Sequence, residues 1–289
     1  MSMDMASSHS NDPGPVLTKV FIWCVPRTLG TVLTKCLSYV DGIQIFNEPC
    51  VSAFKYGPEG KTPIANLNKF MTNASALNQQ VKFEHAFDDN KCTYRWIREQ
   101  LEADYPEKKV LLVRDQAFCL DAKYDTIPPG FRHVFLIRHP YKSPLVEARS
   151  HQTPQHAMDR PNCGYEMQFK LLKYVQELCD PKPVIIDADD LQSDPSSIFC
   201  QAVGIPYSDS LLEWPGDLSI MKTWKGSRIL FQGSLLKTEG GYFENAMKSS
   251  RFLPLTALPK RSELSQDLQD AADYAMPFYE KNYQMRLNV

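Results

Sequence analysis

The sequence lacks any apolar stretch long enough to cross a membrane, and its first fifteen residues contain no apolar core of the kind that a secretory signal needs. It also lacks an excess of positive charge, because 32 Lys and Arg residues face 34 Asp and Glu residues. This balance argues against a nucleic-acid or membrane-surface partner. We therefore expect a cytoplasmic protein with a flexible tail at residues 1–16, in which any anion site is confined to one place.

Closely spaced metal ligands are also missing. The eight cysteines include no Cys-x-x-Cys pair, and the six histidines are scattered. Because zinc sites use clustered ligands, we expect no metal site, and the cysteines are expected to be reduced and mostly buried. No internal repeat is present either. The 289 residues, 43% of them hydrophobic, are enough to build the single domain that we expect at 17–289.

Short apolar runs, most of them separated by segments with helical spacing, predict the fold. Helices are expected around 94–101, 167–178 and 263–283, and Asp194-Pro195 is typical of the start of another. The runs predict buried strands at 20–25, 43–46, 109–113, 133–137 and 183–186. This alternation predicts an α/β fold with a parallel sheet covered by helices on both faces. The segments 52–80 and 205–260 are irregular and are expected to form lids or substrate loops.

One turn between a strand and a helix is unusual. The run VFIWCV, residues 20–25, is followed by PRTLG, residues 26–30, and then by helical spacing. Backbone N–H groups at the start of a helix attract anions. Arg27 would add a fixed charge, and Thr28 and Thr31 would add hydroxyl donors. The turn thus suits a phosphate or sulfate group, although an ordinary turn with a surface arginine is an equally good interpretation of this segment alone.

Polar side chains follow the other predicted strands. They are Asn47 and Glu48, Arg114 and Asp115, Arg138 and His139, and Asp187. Each is typical of a solvated loop. Because ligands of parallel α/β sheets bind at the carboxyl ends of the strands, Glu48 and Arg138 become candidates beside the anion-binding turn.

Three segments, in this order, resemble the sulfotransferases that use 3′-phosphoadenosine 5′-phosphosulfate (PAPS). PRTLGTVL, residues 26–33, is similar to the family's 5′-phosphosulfate loop, and VFLIRHP, residues 134–140, to its 3′-phosphate motif. The stretch PVIIDADDLQSDPSSIFCQAVGIP resembles the strand, acidic turn and helix that follow in many members. The resemblance implies a sulfotransferase fold related to the P-loop NTPases. It also implies transfer of a sulfuryl group from PAPS to a hydroxyl or amine of a small acceptor, which leaves 3′-phosphoadenosine 5′-phosphate (PAP) as product.

The resemblance also implies roles for individual residues. The 5′-phosphosulfate would lie against Arg27 and the residues after it, and Arg27 would also act on the transferred group. The 3′-phosphate would bind Arg138. The alternative role for this arginine is a structural ion pair with a neighbouring acidic residue. Where the family usually has a serine, this sequence has Val146, which leaves Ser143 or Ser150 as the second contact. The cofactor-binding residues that the resemblance implies are Arg27, Thr28, Leu29, Gly30, Thr31, Val32, Arg138 and Ser143.

The family uses a histidine or a glutamate as general base, and the sequence offers one candidate of each type. Glu48 resembles the glutamate of one group of members, and a carboxylate partly withdrawn from water at a strand end can accept a proton. The alternative roles for Glu48 are to cap a helix and to form an ion pair. His85 is the other candidate base, or a residue of the acceptor pocket.

Two other functions remain open from the sequence. A P-loop kinase or nucleotide hydrolase would need Gly-Lys-Ser/Thr at the end of the loop, which is absent, but Asp115 after VLLVR could hold a metal ion. A nucleotide-binding relative without catalytic activity is the second alternative, suggested by Val146.

Overall fold

The computed structural model of the protein describes residues 16–60, 86–87, 92–143, 163–192, 195–227, 246 and 248–288. Nearly all of the predicted tail, residues 61–80, 228–245 and 247 of the two predicted substrate loops, and the residues His85, Val146 and Ser150 lie outside these ranges. The predictions that concern them remain predictions.

A seven-stranded, wholly parallel sheet forms the centre of the protein. Its order is β3-β7-β2-β4-β1-β5-β6. The strands are β1 (Thr18–Cys24), β2 (Ile43–Asn47), β3 (Ala86–Phe87), β4 (Val110–Gln116), β5 (Arg132–Ile137), β6 (Val184–Asp187) and β7 (Lys225–Ser227). All five strands that the apolar runs predict are present, which confirms the α/β class with a parallel sheet.

Helices cover both faces of the sheet. They are α1 (Gly30–Leu37), α2 (Pro49–Lys55), α3 (Tyr94–Glu102), α4 (Cys163–Leu178), α5 (Pro195–Val203) and α6 (Gln266–Gln284). Alternate residues of β1 show the two layers, because Phe21 and Trp23 pack in the core with α2, α3 and α4, whereas Ile22 and Cys24 pack with α1 and α5. The carboxyl edge of the sheet therefore lies between two buried layers.

The sequence patterns missed one helix, α2, and two short strands, β3 and β7. The segment from residue 52, expected to be irregular, begins inside α2, which continues to Lys55, and the segment 205–260 contains β7. Strands of two or three residues such as β3 and β7 are too short to show a periodic pattern, and Lys-Gly-Ser contains no apolar residue. β7 pairs with β2 and β3, so it extends the sheet on the side where Glu48 lies.

In the part of the chain that the structure describes, no helix combines the length and the apolar character that crossing a membrane requires.

Candidate functional site

The turn between β1 and α1 has a strained backbone. Arg27 (φ 70°) and Leu29 (φ 61°) both lie in the left-handed region, which non-glycine residues adopt at a cost of about 1–2 kcal/mol each. Leu29 caps α1, and the bond from the Leu33 amide to the Leu29 carbonyl (2.9 Å) opens the helical ladder. The amides of residues 30–32 precede that bond and thus belong to the positive end of the helix. The strand, turn and helix start that the sequence predicts are present, and anion binding at this turn stays a prediction.

Gly30 lets this turn sit close to the sheet. A Cβ atom at Gly30 would lie 2.5 Å from the Sγ atom of Cys24 and 3.4 Å from the side chain of Arg114. Because real Cβ atoms do not approach other atoms so closely, a side chain at this position would force either the side chain of Cys24 or the start of α1 to shift.

Two hydroxyl groups that the sequence assigns to the anion instead shape the turn. The Thr28 hydroxyl donates to the carbonyl of Val25 (2.7 Å), and the Ser143 hydroxyl donates to the carbonyl of Pro26 (2.8 Å). Both residues are buried. Either hydroxyl would have to give up its present bond before donating to an anion, so the role of these two side chains in binding stays a prediction.

Arg114, at the carboxyl end of β4, is the residue of this site to which the sequence assigned no role. It is buried, its Nη1 atom donates to the Thr31 hydroxyl (2.7 Å), and its Nη2 atom forms an ion pair with Glu48. Arg114 therefore connects the anion-binding turn to the candidate base. A charged residue at the end of a buried strand was the only sequence signal for it.

β4 and α2 hold Glu48 in place. Glu48 is the N-cap residue of α2, with φ 52°, and its amide donates to the Arg114 carbonyl (2.7 Å). The side chain of Gln116 donates to Oε1 of Glu48 (2.9 Å), the same oxygen that Arg114 contacts. Both alternatives from the sequence are thus partly realised, since Glu48 caps a helix through its backbone and is ion-paired.

Asp115 points to the opposite face of β4 from Arg114. Its carboxylate accepts hydrogen bonds from the amides of Cys50 (2.5 Å), Val51 (3.3 Å) and Gln116 (2.8 Å) and is fully buried. It therefore caps the first turn of α2, directly after Glu48. Burial raises the pKa of Asp115 to about 7; the amides of Gln116 and Cys50 oppose this rise, whereas repulsion from Glu48 adds to it.

We expect this carboxyl group to make stability depend on pH. The folded protein keeps the Asp115 proton up to about pH 7, whereas the unfolded chain releases it near pH 4. The free energy of unfolding should therefore fall as pH rises between these values, by up to about 4 kcal/mol. Urea unfolding across this range should show the fall in the wild type and a flatter profile in Asp115→Asn. Equal slopes in the two proteins would contradict the assignment.

Arg138, at the end of β5, contacts the other side of the turn. Its side chain is buried, and its Nη1 atom donates to the carbonyl of Arg27 (3.1 Å). The Tyr165 hydroxyl donates to the carbonyl of Arg138 (2.9 Å) and fixes the backbone there. The Nε atom lies 3.5 Å from a carboxylate oxygen of Asp189. The ion-pair alternative is therefore present together with a direct link to the turn.

The structure brings together the turn at 26–32, Glu48 and Arg138 at the carboxyl edge of the sheet, and it adds Arg114 between them. Ser143 joins the turn through its bond to Pro26, while His85 lies outside the described residues. Among the residues that the structure describes, no three His, Cys, Asp or Glu side chains are arranged so that they could hold a metal ion.

Comparisons with known proteins give distant relatives. No family model matches the chain. A curated relative, the branched-chain-amino-acid aminotransferase-like protein 2 of Arabidopsis thaliana, is 24% identical over 201 residues, which cover 68% of this chain and 31% of that protein. The chain thus spans less than a third of that relative's length.

Two solved structures are similar in three dimensions. The sulfotransferase domain of the Synechococcus PCC 7002 olefin synthase matches with a TM-score of 0.41 and 16% identity, covering 92% of this chain and 95% of that domain. The sulfotransferase domain of the curacin biosynthetic pathway gives 0.37 and 14%, covering 89% and 96%.

Proposed function

We propose that the protein is a PAPS-dependent sulfotransferase that transfers a sulfuryl group to a hydroxyl, or an amine, of a small-molecule acceptor. The observation that carries the proposal is the attachment of two buried arginines to one turn. Arg138 bonds to the Arg27 carbonyl, and Arg114 bonds to the Thr31 hydroxyl. A ligand with two separate anionic groups, one at the turn and one beside Arg138, fits this distribution of charge.

The turn would bind the phosphosulfate end of the donor. The amides of residues 30–32 point out of the first turn of α1, and Arg27 stands at its mouth with part of its side chain exposed. These groups would stabilise the negative charge that develops on the oxygen of the leaving PAP during in-line displacement. Arg138, on the other side of the Arg27 carbonyl, would bind the 3′-phosphate and fix the direction of the nucleotide.

Glu48 would act as the general base. A hydroxyl group of the acceptor must lose its proton as it attacks the sulfur atom, and Glu48 is the carboxylate placed beside the turn. Arg114 and Gln116 hold Oε1, so the acceptor proton would move to Oε2.

The structure weakens the kinase alternative. Asp115, its candidate metal ligand, accepts three backbone hydrogen bonds on the α2 side of the sheet, and the turn lies on the α1 side. An aspartate that caps a buried helix has to release those amides before it can bind Mg²⁺. The turn also lacks the lysine that such enzymes use to contact the terminal phosphates.

Ligand-dependent melting tests the proposal. A ligand that binds only the folded state at 100 times its Kd adds about 2.7 kcal/mol to stability. We expect PAP and PAPS to raise the melting temperature without magnesium, and ATP to have little effect with or without Mg²⁺. A response confined to Mg-ATP would instead support the kinase. Stabilisation by PAPS without release of PAP, across a panel of phenols, alcohols and amines, would favour the non-catalytic relative.

A further inference from the structure

A cluster of two cations and one carboxylate lies beside the candidate nucleotide site. Lys142 ends the short 3-10 helix Pro140–Lys142 that follows β5, four residues after Arg138. Its ammonium group forms an ion pair with one oxygen of Asp189, and the other oxygen of Asp189 lies 3.5 Å from Nε of Arg138. Both cationic side chains are 8% exposed. The two cations thus share the carboxylate of Asp189 in a largely buried place.

The contact between Arg138 and Asp189 is incomplete. Within the described part of the chain, Nε of Arg138 and Oδ1 of Asp189 are both buried and have no hydrogen-bond partner. A buried guanidinium N–H without an acceptor is costly, since its hydration is lost and not replaced. The Nε–H group of Arg138 is therefore suited to an additional anionic partner, because Asp189 lies 3.5 Å away and forms no hydrogen bond with it.

The position of Asp189 is set by the rest of the fold. Its amide donates to a carboxylate oxygen of Asp187 (2.9 Å), and the other oxygen of Asp187 accepts a bond from the Tyr279 hydroxyl of α6 (2.8 Å). The side chain of Asp189 is 25% exposed, in contrast to the two cations. It has room to turn towards solvent while its backbone stays in place.

We infer that Lys142 is a second cation of the 3′-phosphate subsite and that Asp189 competes with the phosphate for Lys142 and Arg138. The inference rests on the proposed function, because it assumes a nucleotide with a 3′-phosphate beside Arg138. Lys142 supplies a partner for that phosphate from the chain segment that follows Arg138, where Val146 replaces the usual serine. When the phosphate binds, the Asp189 side chain moves to solvent and both cations contact the ligand.

Calorimetry with PAP and with adenosine 5′-phosphate, which lacks the 3′-phosphate, separates this subsite from the rest of the site. Lys142→Met should lower the affinity for PAP about 10- to 100-fold and leave that for adenosine 5′-phosphate unchanged. Asp189→Asn should raise the affinity for PAP about 3- to 10-fold, again without effect on adenosine 5′-phosphate. Asp190→Asn is the matched control, because Asp190 lies in the same turn and pairs with Arg286 instead.

The outcomes distinguish the inference from the proposed function. A wild-type protein that binds PAP no better than adenosine 5′-phosphate would overturn both. A wild-type preference for PAP that persists unchanged in Lys142→Met would overturn the inference alone. If Asp189→Asn weakens PAP binding, Asp189 positions the cations and does not compete, which also overturns the inference. Because Asp189→Asn leaves two largely buried cations without their anionic partner, circular dichroism is used to show that each variant is folded before its affinity is measured.

Discussion

Replacing Arg27 by alanine is expected to lower the affinity for PAPS on the order of 100-fold. Hydrogen bonds to charged groups contribute about 1.5–3 kcal/mol each, and every 1.4 kcal/mol changes affinity tenfold. Arg27 stands in the turn with its side chain partly exposed, and its carbonyl is held by Arg138. Titration calorimetry of PAPS against the wild type and the variant measures the effect.

Two further variants make the Arg27 result specific. Arg27→Lys keeps a positive charge and should recover part of the affinity, although lysine cannot form the two parallel bonds of a guanidinium group. Arg95→Ala removes an arginine whose side chain is 89% exposed on α3 and should leave the affinity unchanged. An Arg27→Ala protein that is folded and binds PAPS like the wild type would remove this turn from the donor site.

Replacing Glu48 by glutamine is expected to lower turnover about 10²- to 10⁴-fold, the range for loss of a general base, while PAPS binding changes little. The substitution also leaves the buried Arg114 without its anionic partner, which typically costs about 3–5 kcal/mol of stability. Activity therefore has to be measured below the melting temperature of the variant, with circular dichroism to show that it is folded. Single-turnover release of PAP in the presence of an acceptor gives the rate of the chemical step.

The double variant Glu48→Gln/Arg114→Gln separates the two effects. Removing both charges of a buried pair costs less stability than removing one, so the double variant should melt at a higher temperature than Glu48→Gln. Its turnover should stay low, because the base is still missing. Wild-type turnover in Glu48→Gln would exclude Glu48 as the base and make His85 the next candidate.

The strands and the longer helices were predictable because each carries its own pattern. Buried parallel strands are continuous apolar runs, as in VFIWC of β1 and VLLV of β4. β7 could not be predicted, because Lys225-Gly226-Ser227 has no apolar residue and joins the sheet only by pairing with β2 and β3. The seven residues of α2 cover two turns, which is too short for a helical pattern to stand out after Glu48-Pro49.

The candidate site was predictable only in part. Because the carboxyl ends of parallel strands share one edge, Glu48 and Arg138 could be placed near the turn from the sequence. The partner of Glu48 could not, because strand order does not follow from the order of the strands along the chain. Asn47 lies beside Arg114, which is 67 residues further along the chain, only because β2 pairs with β4. The same holds for Asp189, whose contact with Lys142 depends on the pairing of β5 and β6.

The attachment of Glu48 to β4 also has a consequence for dynamics. The Glu48 amide donates to the Arg114 carbonyl, and the Glu48 carboxylate bonds to the Arg114 side chain. Asp115 holds the first turn of α2, the helix that begins directly after Glu48. β4 is buried from Val110 to Asp115 between β1 and β2. Central strands of this kind open to hydrogen exchange only in the largest unfolding events. We therefore expect the Glu48 amide to exchange as slowly as the amides of the central strands, and the Glu48 carboxylate to stay in place when α2 opens locally.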